Sequence, residues 1–251
     1  MERLFEILYE DPDLLVVNKP ADLVCHPTKG DVYSSLISRA RLHVGEKFPV
    51  HMVNRLDRET SGVVMVAKHP EVAKQLAKIW EQRAVRKTYW AIVHGHVRED
   101  RGLIDAPLGV DERSEVAIKS CVRPDGQSAQ TEFEVLRRFT RAEGDFTWLR
   151  LNLFTGRKHQ IRIHLQHFGH AIVGEKLYGA DEQFYLDLVH GRLTDEQRRR
   201  LILPCAALHA RELHFHWALK DWQFTAEPEP WFTEFLNAGE TVVPSHAAGL
   251  T

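Results

Sequence analysis

The stretch that decides how this chain folds is His51-Met-Val-Asn-Arg-Leu-Asp-Arg-Glu-Thr-Ser-Gly-Val-Val-Met-Val-Ala67. Its last five residues are apolar without interruption, the pattern of a strand buried on both faces. Immediately before them stand Arg55, Asp57, Arg58 and Glu59, four charged side chains delivered to the entrance of a core. Ionised groups in such a place need partners, because desolvating an unpaired charge costs several kcal/mol. Two readings follow from the residues alone. One is a structural ion-pair network at the strand entrance. The other is a carboxylate held on a short turn and kept ionised by an arginine, hence a nucleophile.

Outward from this stretch, residues 14–17 (Leu-Leu-Val-Val) read as a second buried strand, ended at Lys19-Pro20 because proline cannot donate to a ladder. Residues 71–83 place Val72, Leu76, Ile79 and Trp80 at helical spacing. Alternating apolar residues predict strands over 88–93, 131–137 and 146–153, and again over 210–217 and 222–225. Residues 158–168 follow a Thr-Gly turn and read as a helix, as do 230–237. Residues 102–126 and 179–204 read as irregular polar segments over the surface. A small helix is expected inside the second, over 193–203, with Thr194 as N-cap. Strands dominate and helices intervene irregularly, which predicts an α+β fold with a mixed or antiparallel sheet. No repeat or low-complexity linker divides the chain. It therefore reads as one domain over 1–251, with 240–251 as a loose C-terminal tail.

Composition sets the class. The chain has 251 residues, 43% hydrophobic and 27% charged, ordinary values for a globular protein. No run of 18 apolar residues is present, so no membrane-spanning helix is expected. The acidic start MERLFEILYEDPD does not read as a secretory signal. Three widely spaced cysteines, Cys25, Cys121 and Cys205, fit neither a disulfide framework nor a metal knuckle, and they suit a cytoplasmic protein. The net charge is only −2, which argues against non-specific coating of nucleic acid. It is unevenly spread, however. Residues 74–176 carry 18 basic and 13 acidic side chains, whereas 212–251 carry 1 and 6. A positive middle between acidic ends permits a local phosphate-binding face.

The second constellation is Leu153-Phe-Thr-Gly-Arg-Lys-His-Gln-Ile-Arg-Ile-His-Leu165. Cations in the first turn of a helix oppose its dipole, and such a start makes sense where an anion such as phosphate sits. The histidines at 159, 164, 167 and 170 do not gather three on one helical face, and no HExxH motif is present, so no metal site is expected.

Three blocks together resemble the RluA family of RNA pseudouridine synthases. Leu15-Val-Val-Asn-Lys-Pro-Ala-Asp-Leu-Val-Cys-His-Pro27 is similar to that family's opening strand and loop. Asn54-Arg-Leu-Asp-Arg-Glu-Thr-Ser-Gly62 resembles its His-Arg-Leu-Asp-x-x-Thr-Ser-Gly signature. Thr155 to Leu165, followed by Gly169-His-Ala-Ile-Val-Gly-Glu-Lys-Leu-Tyr-Gly179, resembles the block that supplies an active-site arginine. Arg86-Lys-Thr-Tyr-Trp-Ala91 and Leu208-His-Ala-Arg-Glu-Leu213 match two shorter stretches, and all five lie in family order. Asn54 stands where the family usually has histidine, and Asp22 where it usually has glycine. Aspartate visits the left-handed backbone region more readily than most residues.

The resemblance implies a single catalytic domain with a mixed, largely antiparallel bent sheet flanked by helices and loops. It implies isomerisation of uridine to pseudouridine in ribosomal or transfer RNA, with no cofactor and no metal. Asp57 is the implied catalytic carboxylate, by attack at the sugar or by proton abstraction from it. Arg162 is implied to pair with it, and Tyr89 to lie against the flipped uracil and help with its C5 proton. Arg55 is expected to fill the gap left by the extruded nucleotide or to touch a phosphate. Lys19, Arg157, Lys158 and His159 are expected contacts to the RNA backbone. No S4-like RNA-binding domain is expected ahead of the catalytic block, and the enzyme is expected to act as a monomer without an obligate protein partner. A binding protein that kept the fold but not the reaction predicts loss of Asp57 or Arg162, and both are present. A metal-dependent hydrolase founders on ligand spacing.

Overall fold

The computed structural model describes residues 5–27, 35–45, 49–179 and 181–241. In chain order its elements begin with β1 (Glu6–Glu10), β2 (Leu14–Lys19), α1 (Leu36–Val44), β3 (His51–Met52), β4 (Ser61–Ala67) and α2 (Pro70–Glu81). They continue with β5 (Val85–His94), β6 (Arg101–Asp105), β7 (Leu108–Val110), β8 (Ser120–Val122), β9 (Gln130–Arg141) and β10 (Gly144–Leu153). The last are α3 (Gln160–His167), α4 (Gln183–Val189), α5 (Asp195–Leu201), β11 (Leu208–Trp217), β12 (Lys220–Thr225), α6 (Pro230–Asn237) and β13 (Glu240–Thr241).

The uninterrupted apolar runs form the middle of the sheet because both of their faces are covered. Leu15, Val17, Val64 and Val66 pack with Leu36, Ile37 and Ala40 of α1. The alternate residues Leu14, Val16, Val63, Met65 and Ala67 pack with Val72 and Leu76 of α2. Proline at its first turn starts α2, where the missing N–H costs nothing. The main sheet runs β1-β2-β4-β11-β5-β10-β9-β13, with β3, β6 and β12 paired off this path. Its pairings are antiparallel except β4 with β11, which runs parallel over His209↔Ser61 and Ala210↔Gly62. The expected α+β, largely antiparallel sheet is therefore the one observed.

That parallel contact positions the site. Gly62 has φ 114°, and a β-carbon there would collide with the backbone of Ala210. Only glycine lets β11 come so close to β4. Ala210 is in turn in register with Tyr89 of β5, and Tyr89 with Leu151 of β10. One row across the sheet thus carries Tyr89 to the strand that begins just after Asp57.

The structure corrects several sequence expectations. Residues 102–126 are not irregular throughout: they contain most of β6, which pairs with β9, and the β7–β8 hairpin. The burial of β6 shows why its apolar pattern is faint, since Ile104 alone is buried. In residues 179–204 the helix capped by Thr194 is present as α5, with a capping box to Gln197, but α4 precedes it unforeseen. The expected helix over 158–168 starts later, at Gln160. Glu240 and Thr241 form β13 against β9, and the rest of the expected tail, 242–251, lies outside the described residues.

Candidate active site

Asp57 sits on the short turn between β3 and β4, and three local devices hold that turn. Asn54 donates from Nδ2 to Val63 O (3.1 Å) and accepts from Met65 N (2.8 Å), so it ties the turn to β4. This is what the departure from histidine does here: an uncharged amide supplies one donor and one acceptor. Leu56 is buried, its N–H donating to Cys25 Sγ at 3.4 Å. Thr60 N donates to Asp57 O and closes the turn. Asp22 occupies the left-handed region (φ 65°), and its carboxylate accepts from Arg58 Nε at 2.7 Å.

The guanidinium of Arg162 reaches Asp57 from α3, Nη1 donating to Oδ2 at 3.0 Å. The sequence reading missed its other partner. Arg162 donates from Nε and Nη2 to both oxygens of Glu175, each at 2.7 Å. Glu175 also accepts from the N–H groups of Leu177 and Tyr178. Burial opposes its charge, but Arg162 and the two N–H groups outweigh burial and hold the carboxyl down at about 2. The planar fork of arginine suits this bidentate grip. Arg162 therefore stands between two carboxylates, buried Glu175 and partly open Asp57. Its plane lies over the ring of Tyr178, 5.1 Å from the centroid.

The loop entering α3 is fixed by Gln160, which is buried. Its Oε1 accepts from Thr155 Oγ1 and Arg157 N, while Nε2 donates to Gln130 O and Thr131 Oγ1. His159 takes the left-handed conformation (φ 56°) at the helix start. Its Nδ1 lies 2.7 Å from Tyr178 OH, and its Nε2 lies 3.7 Å from Asp57 Oδ1. Burial lowers its pKa to about 4, with Arg162 and Lys158 adding to the effect against Asp57. Where a backbone contact was expected, the structure places a nearly enclosed imidazole held between Tyr178 OH and the Asp57 carboxylate. His164, also in this segment, is a core residue bonded to Thr131 Oγ1 and Ala106 O.

Asp57, Tyr89, Arg157, Lys158 and Arg162 line one cavity of about 380 Å³, with Arg55 at its edge. A second hollow of similar size also touches Asp57 and shares Arg55, His159 and Arg162 with the first. The Glu59–Lys176 ion pair, 2.6 Å long, forms part of its wall. Arg55 and Lys158 are exposed and Arg157 is half-exposed. Burial, with the Asp57 carboxylate nearby, pushes the Tyr89 phenol up from its usual range.

Lys19 is the clearest correction. Its side chain is fully enclosed, and Nζ donates to the carbonyl oxygens of Pro20, Leu23 and Arg58. It knits the loop after β2 to the Asp57 turn and cannot reach RNA. Burial lowers its pKa to about 8.

The RNA pseudouridylate synthase family model matches residues 13–167, which hold Asp57, Tyr89 and Arg162. The dual-specificity RNA pseudouridine synthase RluA of Vibrio vulnificus is 36% identical over 220 residues, covering 86% of this chain and 80% of that one. An uncharacterised RNA pseudouridine synthase of Bacillus subtilis, YlyB, is 38% identical over 180 residues, covering 69% of this chain. The matched part spans only 57% of YlyB's length. Among solved structures, human RNA pseudouridylate synthase domain containing 1 superposes with a TM-score of 0.75 at 25% identity, covering 96% of this chain and 91% of that one. The chain belongs to the RNA pseudouridylate synthases, a family of isomerases, and within it to the RluA group.

Proposed function

We propose that the protein isomerises uridine to pseudouridine at specific positions of ribosomal or transfer RNA, with Asp57 acting on a flipped-out uridine. The observation that carries the reading is the Asp57 carboxylate, 3.0 Å from Arg162 on the wall of a cavity that also receives Tyr89. The reaction breaks the bond from C1′ to N1 of uracil and forms one from C1′ to C5. C5 loses a proton and N1 gains one, so no oxidant, group donor or water is consumed. One carboxylate is enough, because the detached base stays in the pocket and no water needs activating, unlike glycosidases with their two. Asp57 acts on the sugar, by attack at C1′ or by removing a proton.

Arg162 holds Asp57 through one hydrogen bond while Glu175 fixes Arg162 itself. Tyr89, on the wall of the same cavity, serves as a stacking and hydrogen-bonding platform for uracil and helps with its C5 proton. Extruding the nucleotide costs a few kcal/mol. Arg55, exposed at the edge, fills the gap it leaves, and Arg157 with Lys158 contact phosphates. The enzyme works in the cytoplasm as a monomer without an obligate partner, in keeping with three unpaired cysteines.

The test uses RNA carrying tritium at uracil C5, transcribed without modification, and follows tritium release. Asp57→Asn is expected to fall to background while RNA affinity stays within a few-fold. Substantial release by a correctly folded Asp57→Asn protein refutes the assignment.

A further inference from the structure

Beyond the site already described, a cavity of about 670 Å³ runs along the start of β5. It falls within the roughly 300–1,000 Å³ typical of ligand sites. Leu153 lines both this cavity and the Asp57 cavity. At the seam, Lys87 Nζ lies so close to the backbone of Gly156 that a β-carbon there would be 3.3 Å away. Lys87 and Tyr89 are two residues apart on one strand, so they share a face about 6.6 Å apart. One nucleotide spans that step.

The charges in this cavity are unusual. Lys87 is half-buried, and Arg83, Arg86 and Lys87 make no ion pair among the described residues. Burial depresses the Lys87 ammonium, and the like charge of Arg83 depresses it further. Cations crowded in this way are relieved by an anion. Among the other charged groups on its wall, Arg150 pairs with Glu134 at 2.6 Å, while Glu132 and Glu212 keep their charge and bond only the neutral amides of Asn152 and Gln223. Phe154 stands on the cavity wall, 51% exposed. Free cations beside an exposed aromatic ring are the elements with which proteins hold single-stranded RNA.

We infer that this cavity binds the nucleotide next to the extruded one, with Lys87, Arg83 and Arg86 on its phosphates and Phe154 stacked on its base. The inference rests on the proposed RNA substrate and extends the site from one nucleotide to two.

The test measures binding rather than turnover, by fluorescence anisotropy of a twelve-nucleotide oligouridine across a salt series. Each phosphate contact on single-stranded RNA contributes about −0.7 to the log–log salt slope. The triple variant Arg83→Gln, Arg86→Gln, Lys87→Gln is expected to flatten the slope by about 1.4–2 and to weaken binding about tenfold or more at low salt. Phe154→Ala, which removes an exposed side chain and leaves the sheet intact, is expected to weaken binding about fivefold or more without changing the slope. Lys74→Gln, which removes an exposed cation paired with Glu71, is the control and is expected to leave both unchanged. Tritium release by the wild-type protein reads the proposed function separately, and its absence refutes that reading. An unchanged slope in the triple variant, unchanged affinity in Phe154→Ala, or no binding of the oligouridine at all overturns the second nucleotide site.

Discussion

Replacing Arg162 with methionine separates what its pair with Glu175 does for the fold from what its pair with Asp57 does. Arg162 gives two N–H groups to Glu175 and one to Asp57. The Glu175 side chain is 1% exposed and that of Asp57 29%. Solvent can therefore replace the guanidinium at Asp57 but not at Glu175. Removing one partner of a buried pair costs about 3–5 kcal/mol, whereas pairs open to water are worth about 0–1 kcal/mol. Arg162→Met is expected to lower unfolding stability by about 3–5 kcal/mol, nearly all of it through Glu175. Adding Glu175→Leu removes the stranded carboxylate and is expected to restore much of the loss, whereas adding Asp57→Leu restores little. Denaturant unfolding of both four-protein cycles at neutral pH measures the couplings. About 2–3 kcal/mol is expected for Arg162 with Glu175 and about 1 or less for Arg162 with Asp57. A larger coupling to Asp57, or none to Glu175, would refute the argument that burial decides which pair matters.

Two further outcomes follow from groups away from Asp57. His209 is fully buried, with Nδ1 2.9 Å from Ser61 Oγ and Nε2 2.9 Å from Ala226 O, and burial lowers its pKa to about 4. The folded pKa lies below the unfolded value, so its contribution is complete above about 6.5 and is lost as pH falls toward 4. In that window the slope of unfolding free energy against pH is expected to be shallower in His209→Gln, by up to about 1.4 kcal/mol per pH unit. An unchanged slope contradicts the buried neutral imidazole. In the β11–β12 hairpin, Ala218 (φ 52°) and Leu219 (φ 60°) are both left-handed, which costs about 1–2 kcal/mol per residue for side chains of this kind. Changing the pair to Asn-Gly is expected to raise stability by about 1–2 kcal/mol, read as a higher denaturation midpoint, since that dipeptide suits this turn.

How much of this was legible depended on whether the cause was local. The runs at 14–17 and 63–67 declared themselves because α1 and α2 cover both faces of β2 and β4. Thr194 declared α5 because a cap acts within one turn. By contrast β1 is an edge strand of half-buried and exposed residues, so its composition shows no clean period. Asp57, Arg162 and Tyr89 were legible as members of motifs and converge on one cavity. Lys19 was misread because its partners include Arg58 O, thirty-nine residues away, and nothing beside a lysine in sequence foretells three carbonyls around it. Glu175 lies within a block already singled out, yet its partner is thirteen residues distant. The available signal was its position: Glu175 and Lys176 are charges set inside an otherwise apolar stretch from Ala171 to Tyr178.

Three carbonyl oxygens around the Lys19 ammonium are the surroundings that a free potassium or ammonium ion finds in a protein site. This chain carries its ion on a tether. The joint between the loop after β2 and the turn of Asp57 therefore draws nothing from the medium, and its geometry holds at low and high salt alike. The RNA contacts proposed for the exposed cations at the rim should respond strongly to salt while the joint beneath them does not. A change in ionic strength is thus expected to act on the proposed RNA contacts and to leave the shape of the Asp57 turn alone.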